Sequence, residues 1–63
     1  MATDRSELAS IAALLAQCTT RLAAMAEGAA VAKDDTTANE LFGIERALLG
    51  ANRRLERLLS PRR

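Results

Sequence analysis

The sequence predicts an all-α fold, a two-helix antiparallel hairpin over about residues 4–32 and 37–59. Two runs of apolar residues recur at alternating steps of three and four, each run opens on a capping signature, and a short polar stretch divides them. Composition agrees. Alanine and leucine dominate the apolar residues and glutamate and arginine the charged ones, all good helix formers.

The first run places Leu8, Ile11, Leu15, Cys18, Leu22, Met25, Ala29 and Ala32 on one heptad seam. Asp4 is the expected N-cap, with Glu7 three residues on to complete a capping box. Gly28 costs about 1 kcal/mol relative to alanine, and the alanine-rich register carries on past it. The helix is therefore expected to continue to about Ala32. Lys33-Asp34-Asp35-Thr36 reads as the connection, of a length common between antiparallel helices. Thr37 is then expected to cap the second helix, with Glu40 as its capping-box partner. Leu41, Ile44, Leu48, Ala51, Leu55 and Leu58 repeat the heptad spacing until Ser60-Pro61 stops the helix. The whole chain, residues 1–63, reads as one helical-hairpin domain with 60–63 a short basic tail.

The second helix carries more apolar surface than one neighbour covers, because Phe42 and Leu49 project to one side of its seam and Leu59 bridges the two. The first helix is flanked by alanines in the same way. A four-helix bundle made from two hairpins would use both arcs, so a homodimer is expected. Its association surface would draw Leu8, Ile11, Leu15, Leu22 and Met25 from the first helix. From the second it would draw Leu41, Phe42, Ile44, Leu48, Leu49, Asn52, Leu55, Leu58 and Leu59. Size argues the same way. A chain of 63 residues buries only ~60% of the surface its unfolded form exposes, so stability is marginal without a disulfide, a metal or a partner.

Composition removes the first two supports. Cys18 is the only cysteine and there is no histidine, which excludes an intrachain disulfide and leaves zinc without its usual ligands. Glu45 and Glu56 share a side of the second helix with Asn52, but without histidine a carboxylate metal site lacks its partners, and pairing with arginine is expected instead. Catalysis finds little to use: no His, Tyr or Trp, no nucleophile beside an evident base, and no phosphate-binding glycine loop. No enzyme activity, cofactor or metal is expected. Cys18, at a seam position, is expected to act as a small buried hydrophobe.

Three features suggest recognition. Asn52 falls near the centre of the apolar arc, where a lone asparagine can set register or oligomer number. Gly43, Ala47 and Gly50 form a small-residue groove that a helix backbone or a phosphate could approach. Arg46, Arg53, Arg54 and Arg57 flank that groove and make a possible contact for an acidic partner or nucleic acid. Charge is unevenly divided: residues 1–35 carry three basic and five acidic side chains, residues 36–63 six and three. Phe42 is the only aromatic, so base stacking cannot be the main recognition mode.

No run approaches the ~20 consecutive apolar residues of a membrane-spanning helix. An export signal is also not expected, because Asp4 and Glu7 oppose the single Arg5 where such a signal needs positive charge, and Gln17 is too large for the cleavage site. A cytoplasmic protein is expected. Lys33 is the only lysine among nine basic residues, and with the abundant alanine this fits a GC-rich bacterial gene. The functional expectation is a non-catalytic protein–protein interaction module, an adaptor or regulator, either homodimeric or docked on a larger complex. The alternative is a small DNA- or RNA-associated regulator that uses the arginine flank.

Overall fold

A computed structural model describes residues 4–60. They form two helices, α1 (Arg5–Val31) and α2 (Asp35–Leu59), packed against each other as a hairpin, with no strand among the described residues. The Pro61 stop and the Arg62-Arg63 end of the basic tail lie outside the described residues.

Asp4 caps α1 as its sequence position suggests, its carboxylate accepting from the Glu7 backbone N–H at 3.0 Å. The helix runs through Gly28 and ends one residue short of the expected Ala32. Its C-terminus closes in a Schellman motif. The Asp34 N–H donates to the Ala29 carbonyl at 2.9 Å and the Lys33 N–H to the Ala30 carbonyl at 3.1 Å, with Lys33 in the left-handed region at φ 67°.

That motif moves the start of the second helix. Asp34, not Thr37, is the cap: its carboxylate accepts from the Thr37 N–H at 3.3 Å, and α2 begins at Asp35. The physical reason is economy of turns. Once the Schellman bonds reverse the chain at Lys33, the next residue already lies outside the helical region, at φ −92° and ψ 75°, and a carboxylate there satisfies a free N–H in the first turn. Glu40 therefore lies well inside α2 and is exposed.

Two contacts fix the antiparallel register. At the open end the Arg5 guanidinium donates to the Leu59 carbonyl, so a cation caps the negative end of α2. At the turn Asp34 is bonded to Ala29. Stepping inward from these pins at heptad spacing brings Leu8 level with Leu55, Leu15 with Leu48, and Leu22 with Leu41. Between these leucine layers fall Ala12 with Asn52, Thr19 with Glu45, and Ala26 with Ala38. Burial follows this ladder. Ala12, Thr19, Ala26 and Ala38 are the buried residues among those described, and Ala26 has no exposure at all.

The seam thus differs from the sequence expectation. Leu8, Leu15, Leu22 and Ala29 in α1, and Leu41, Leu48 and Leu55 in α2, lie on it as expected and are half-buried. Ile11, Cys18 and Met25 yield to Ala12, Thr19 and Ala26, while Ile44, Ala51 and Leu58 yield to Glu45, Asn52 and Leu59. Cys18 is exposed, contrary to the buried role expected of it. Small residues win because side-chain size sets how near two helix axes can come, and every second layer here is small on α1. Thr19 meets its own polar requirement by donating its hydroxyl to the Leu15 carbonyl at 2.7 Å.

Lys33 occupies a conformation that costs a residue with a Cβ about 1 kcal/mol or more relative to glycine. Lys33→Gly should therefore raise the thermal unfolding midpoint, read by circular dichroism. A lowered midpoint would show that the lysine side chain contributes more than the backbone strain costs.

Candidate functional site: the exposed apolar face

Exposure is concentrated on one side of the hairpin. Because the helices run in opposite directions, the residue just before a seam position turns to the same face on both. On α1 these residues are Ile11, Cys18 and Met25; on α2 they are Ile44, Ala51 and Leu58. Leu14 adjoins them one turn beyond Ile11. Five of the seven exposed large apolar side chains among the described residues belong to this face: Ile11, Leu14, Met25, Ile44 and Leu58. Leu14, Met25 and Leu58 are 60%, 61% and 63% exposed, too much for residues of a finished core.

The opposite face is built differently. Ala9, Ala16, Ala23 and Ala30 follow the seam on α1, and Phe42, Leu49 and Glu56 on α2. Phe42 is half-buried and Leu49 is 41% exposed, so this face is flatter and carries only two large apolar groups. Leu59 is half-buried at the end of the seam.

Charges sit at the margins of the first face. On its outer shoulders lie Glu7 and Arg21 from α1 and Glu40 and Arg54 from α2, all exposed. Leu14 stands midway between the first two and Ala47 midway between the second two. Apart from Asp4, which caps α1 at the end, no charged residue among those described lies between these shoulders.

The other candidate features fall elsewhere. Arg46, Arg53 and Arg57 share one exposed stripe on the solvent side of α2, while Arg54 is turned toward the apolar face, about a quarter-turn away or less. Arg53 and Arg57 form a shallow open depression with Glu56 and Ser60. Another open depression, on α1, is lined by Ala16, Gln17, Thr20 and Arg21. Gly43 and Gly50 lie beside the arginine stripe, and a Cβ built on either meets no atom within 4 Å. Within the hairpin the Gly43-Ala47-Gly50 groove is approached by nothing. Among the described residues, no group of three His, Cys, Asp or Glu side chains gathers in metal-binding geometry.

Asn52 is the one polar anomaly among the described residues. It lies on the seam, half-buried, and its Oδ1 is buried without a hydrogen-bond partner. The layer opposite is Ala12, which offers no side-chain donor. An unpaired buried amide oxygen is costly, so its place on the seam accords with a residue that sets register at the expense of stability.

Averaged over its length, α1 is long and apolar enough to cross a membrane, although it lacks the unbroken apolar run of a typical span. Every 18-residue stretch of it contains Arg21. An arginine near the centre of a membrane helix costs about 2.5–3.5 kcal/mol on insertion scales, and the α1 seam is already occupied by α2.

Two variants test these assignments. Gly43→Ala with Gly50→Ala should stabilise α2 by about 2 kcal/mol in total, seen as greater helicity. If association is lost instead, the groove receives a partner helix. Asn52→Leu should raise the urea midpoint by an amount corresponding to about 1–3 kcal/mol; a lowered midpoint would mean that the amide finds a partner in the associated protein.

Comparisons with protein-family models, with curated proteins and with solved structures find no match to this chain.

Proposed function

We propose that this protein is a non-catalytic protein–protein interaction module, a cytoplasmic adaptor or regulator whose hairpin is completed by another helical surface. The observation that carries the reading is the distribution of apolar burial. The buried residues among those described are three alanines and a threonine, and no large side chain is fully buried. Burying a leucine-sized side chain contributes about 1.5–3 kcal/mol, and the hairpin leaves most of that gain unrealised at Leu14, Met25 and Leu58. A partner surface over the apolar face would supply it.

A second reading has one observation in its favour. Arg46, Arg53 and Arg57 on a common stripe could contact the phosphates of DNA or RNA, with the apolar face then serving to pair two such stripes. It requires binding that weakens steeply with salt and with Arg53→Ala and Arg57→Ala together.

A photo-activated cross-linker introduced in living cells distinguishes the two. Placed at Leu14, it is expected to attach to protein, and Met25→Asp should abolish that attachment. Placed at Val31, which is 82% exposed but off the apolar face, it should attach to little. Attachment of an Arg53 label to nucleic acid, with nothing captured at Leu14, would sink the interaction-module reading and favour the second.

A further inference from the structure

We infer that the surface completing this hairpin is a second copy of the same chain, docked face to face across Ile11, Leu14, Met25, Ile44 and Leu58 and held in place by its own charged shoulders. This rests on the interaction-module reading and deepens it by naming the partner. The charge pattern points to a second copy, and the shape of the chain leaves a side for it to cover.

Each shoulder of the face carries a glutamate and an arginine fourteen residues apart with an apolar residue midway: Glu7, Leu14, Arg21 on α1 and Glu40, Ala47, Arg54 on α2. Such a pattern is its own complement when reversed. If α1 faces α1 of the second copy, the two run in opposite directions, and Glu7 approaches Arg21 of the second copy while Glu40 approaches Arg54. If α1 faces α2 of the second copy instead, the hairpin register brings Glu7 near Arg54 and Arg21 near Glu40, each within about one helical turn. Either two-fold arrangement sets glutamate against arginine at all four positions. The four shoulder charges are of opposite sign in equal number, whereas a nucleic acid or an anionic membrane would call for arginine alone.

The chain exposes 4823 Å², whereas a compact protein of its 6.7 kDa mass exposes about 3,900 Å² by the usual scaling. The surplus of about 900 Å² is that of an elongated rather than a compact chain. It arises from the elongated shape, 48 × 18 × 18 Å, with one long side apolar. A second hairpin has the same length and the same side to cover.

The test uses the full chain and two opposed variants. Glu7→Arg with Glu40→Arg makes the shoulders all arginine; Arg21→Glu with Arg54→Glu makes them all glutamate. Light scattering after gel filtration, at tens of micromolar and low salt, should give the wild type twice the chain mass. Each variant alone should dimerise at least about tenfold more weakly, as four attractive pairs become repulsive. Mixing the two variants should restore the dimer, and native mass spectrometry should find one copy of each. Recovery on mixing also excludes misfolding as the reason for weakness in either variant.

Three results would overturn the inference. One is a wild type that remains at single-chain mass throughout. Another is a pair of variants that each dimerise like the wild type and mix statistically. The third is a monomer that floats with vesicles of anionic lipid, which would assign the face to a membrane. A monomeric wild type whose Leu14 label still captures a different protein in cells, and loses it with Met25→Asp, would refute the second copy while leaving the interaction module intact.

Discussion

The small residues that α1 places at every second layer of the seam govern the rest of the molecule. Ala12, Thr19 and Ala26 occupy those layers on α1, and α2 contributes Ala38 at the turn. At the other two layers the facing residues on α2 are Asn52 and Glu45, so there the small residue is the one on α1, and the leucine layers between them are half-buried. The capping contacts only set the ends of this arrangement: the Schellman bonds at Ala29 and Ala30 close the turn, and Arg5 on the Leu59 carbonyl closes the open end.

A seam of this kind has a consequence for the outer surface. With the alternate inner positions on α1 given to alanine and threonine, Ile11, Met25, Ile44 and Leu58 of the heptad pattern are turned outward. Because the helices are antiparallel, Ile11 and Met25 from α1 meet Ile44 and Leu58 from α2 on a common side. The narrow seam and the broad apolar face are therefore two results of one packing choice. The hairpin fully buries no large side chain and leaves Leu14, Met25 and Leu58 more than half exposed, a reserve of apolar surface. The shoulder charges define the margins of that reserve. Asn52 places one costly polar group in the seam, where shifting the register by a layer would move it against leucine.

Much of the fold was legible in the sequence, and what was not has a definite cause. Hydrophobic periodicity gave both helices, their antiparallel pairing and the continuation through Gly28, because these depend on local spacing and on turn length. It also gave Leu8, Leu15, Leu22, Leu41, Leu48 and Leu55, since these residues belong to every heptad seam that fits the pattern. It misplaced the alternate layers. Two seams share those leucines, one through Ile11, Cys18 and Met25 and one through Ala12, Thr19 and Ala26, and a hydrophobicity count prefers the larger side chains. The excess apolar surface was likewise visible, but not that most of it would share one face. The cap at Asp34 was missed because Asp34 and Thr37 both carry capping chemistry, and only the reversal at Lys33 selects between them.

The sequence by itself determined that this chain is all-helical and that its apolar surface exceeds what two helices can hide; both follow from residue type and period, which act locally. Tertiary structure decided which residues meet and which face outward. That choice depends on the distance between the helix axes and on the direction in which each helix runs, and neither quantity exists until the two helices are packed together. At the alternate layers small side chains lie inward on α1, and Ile11, Met25, Ile44 and Leu58 are left on the surface.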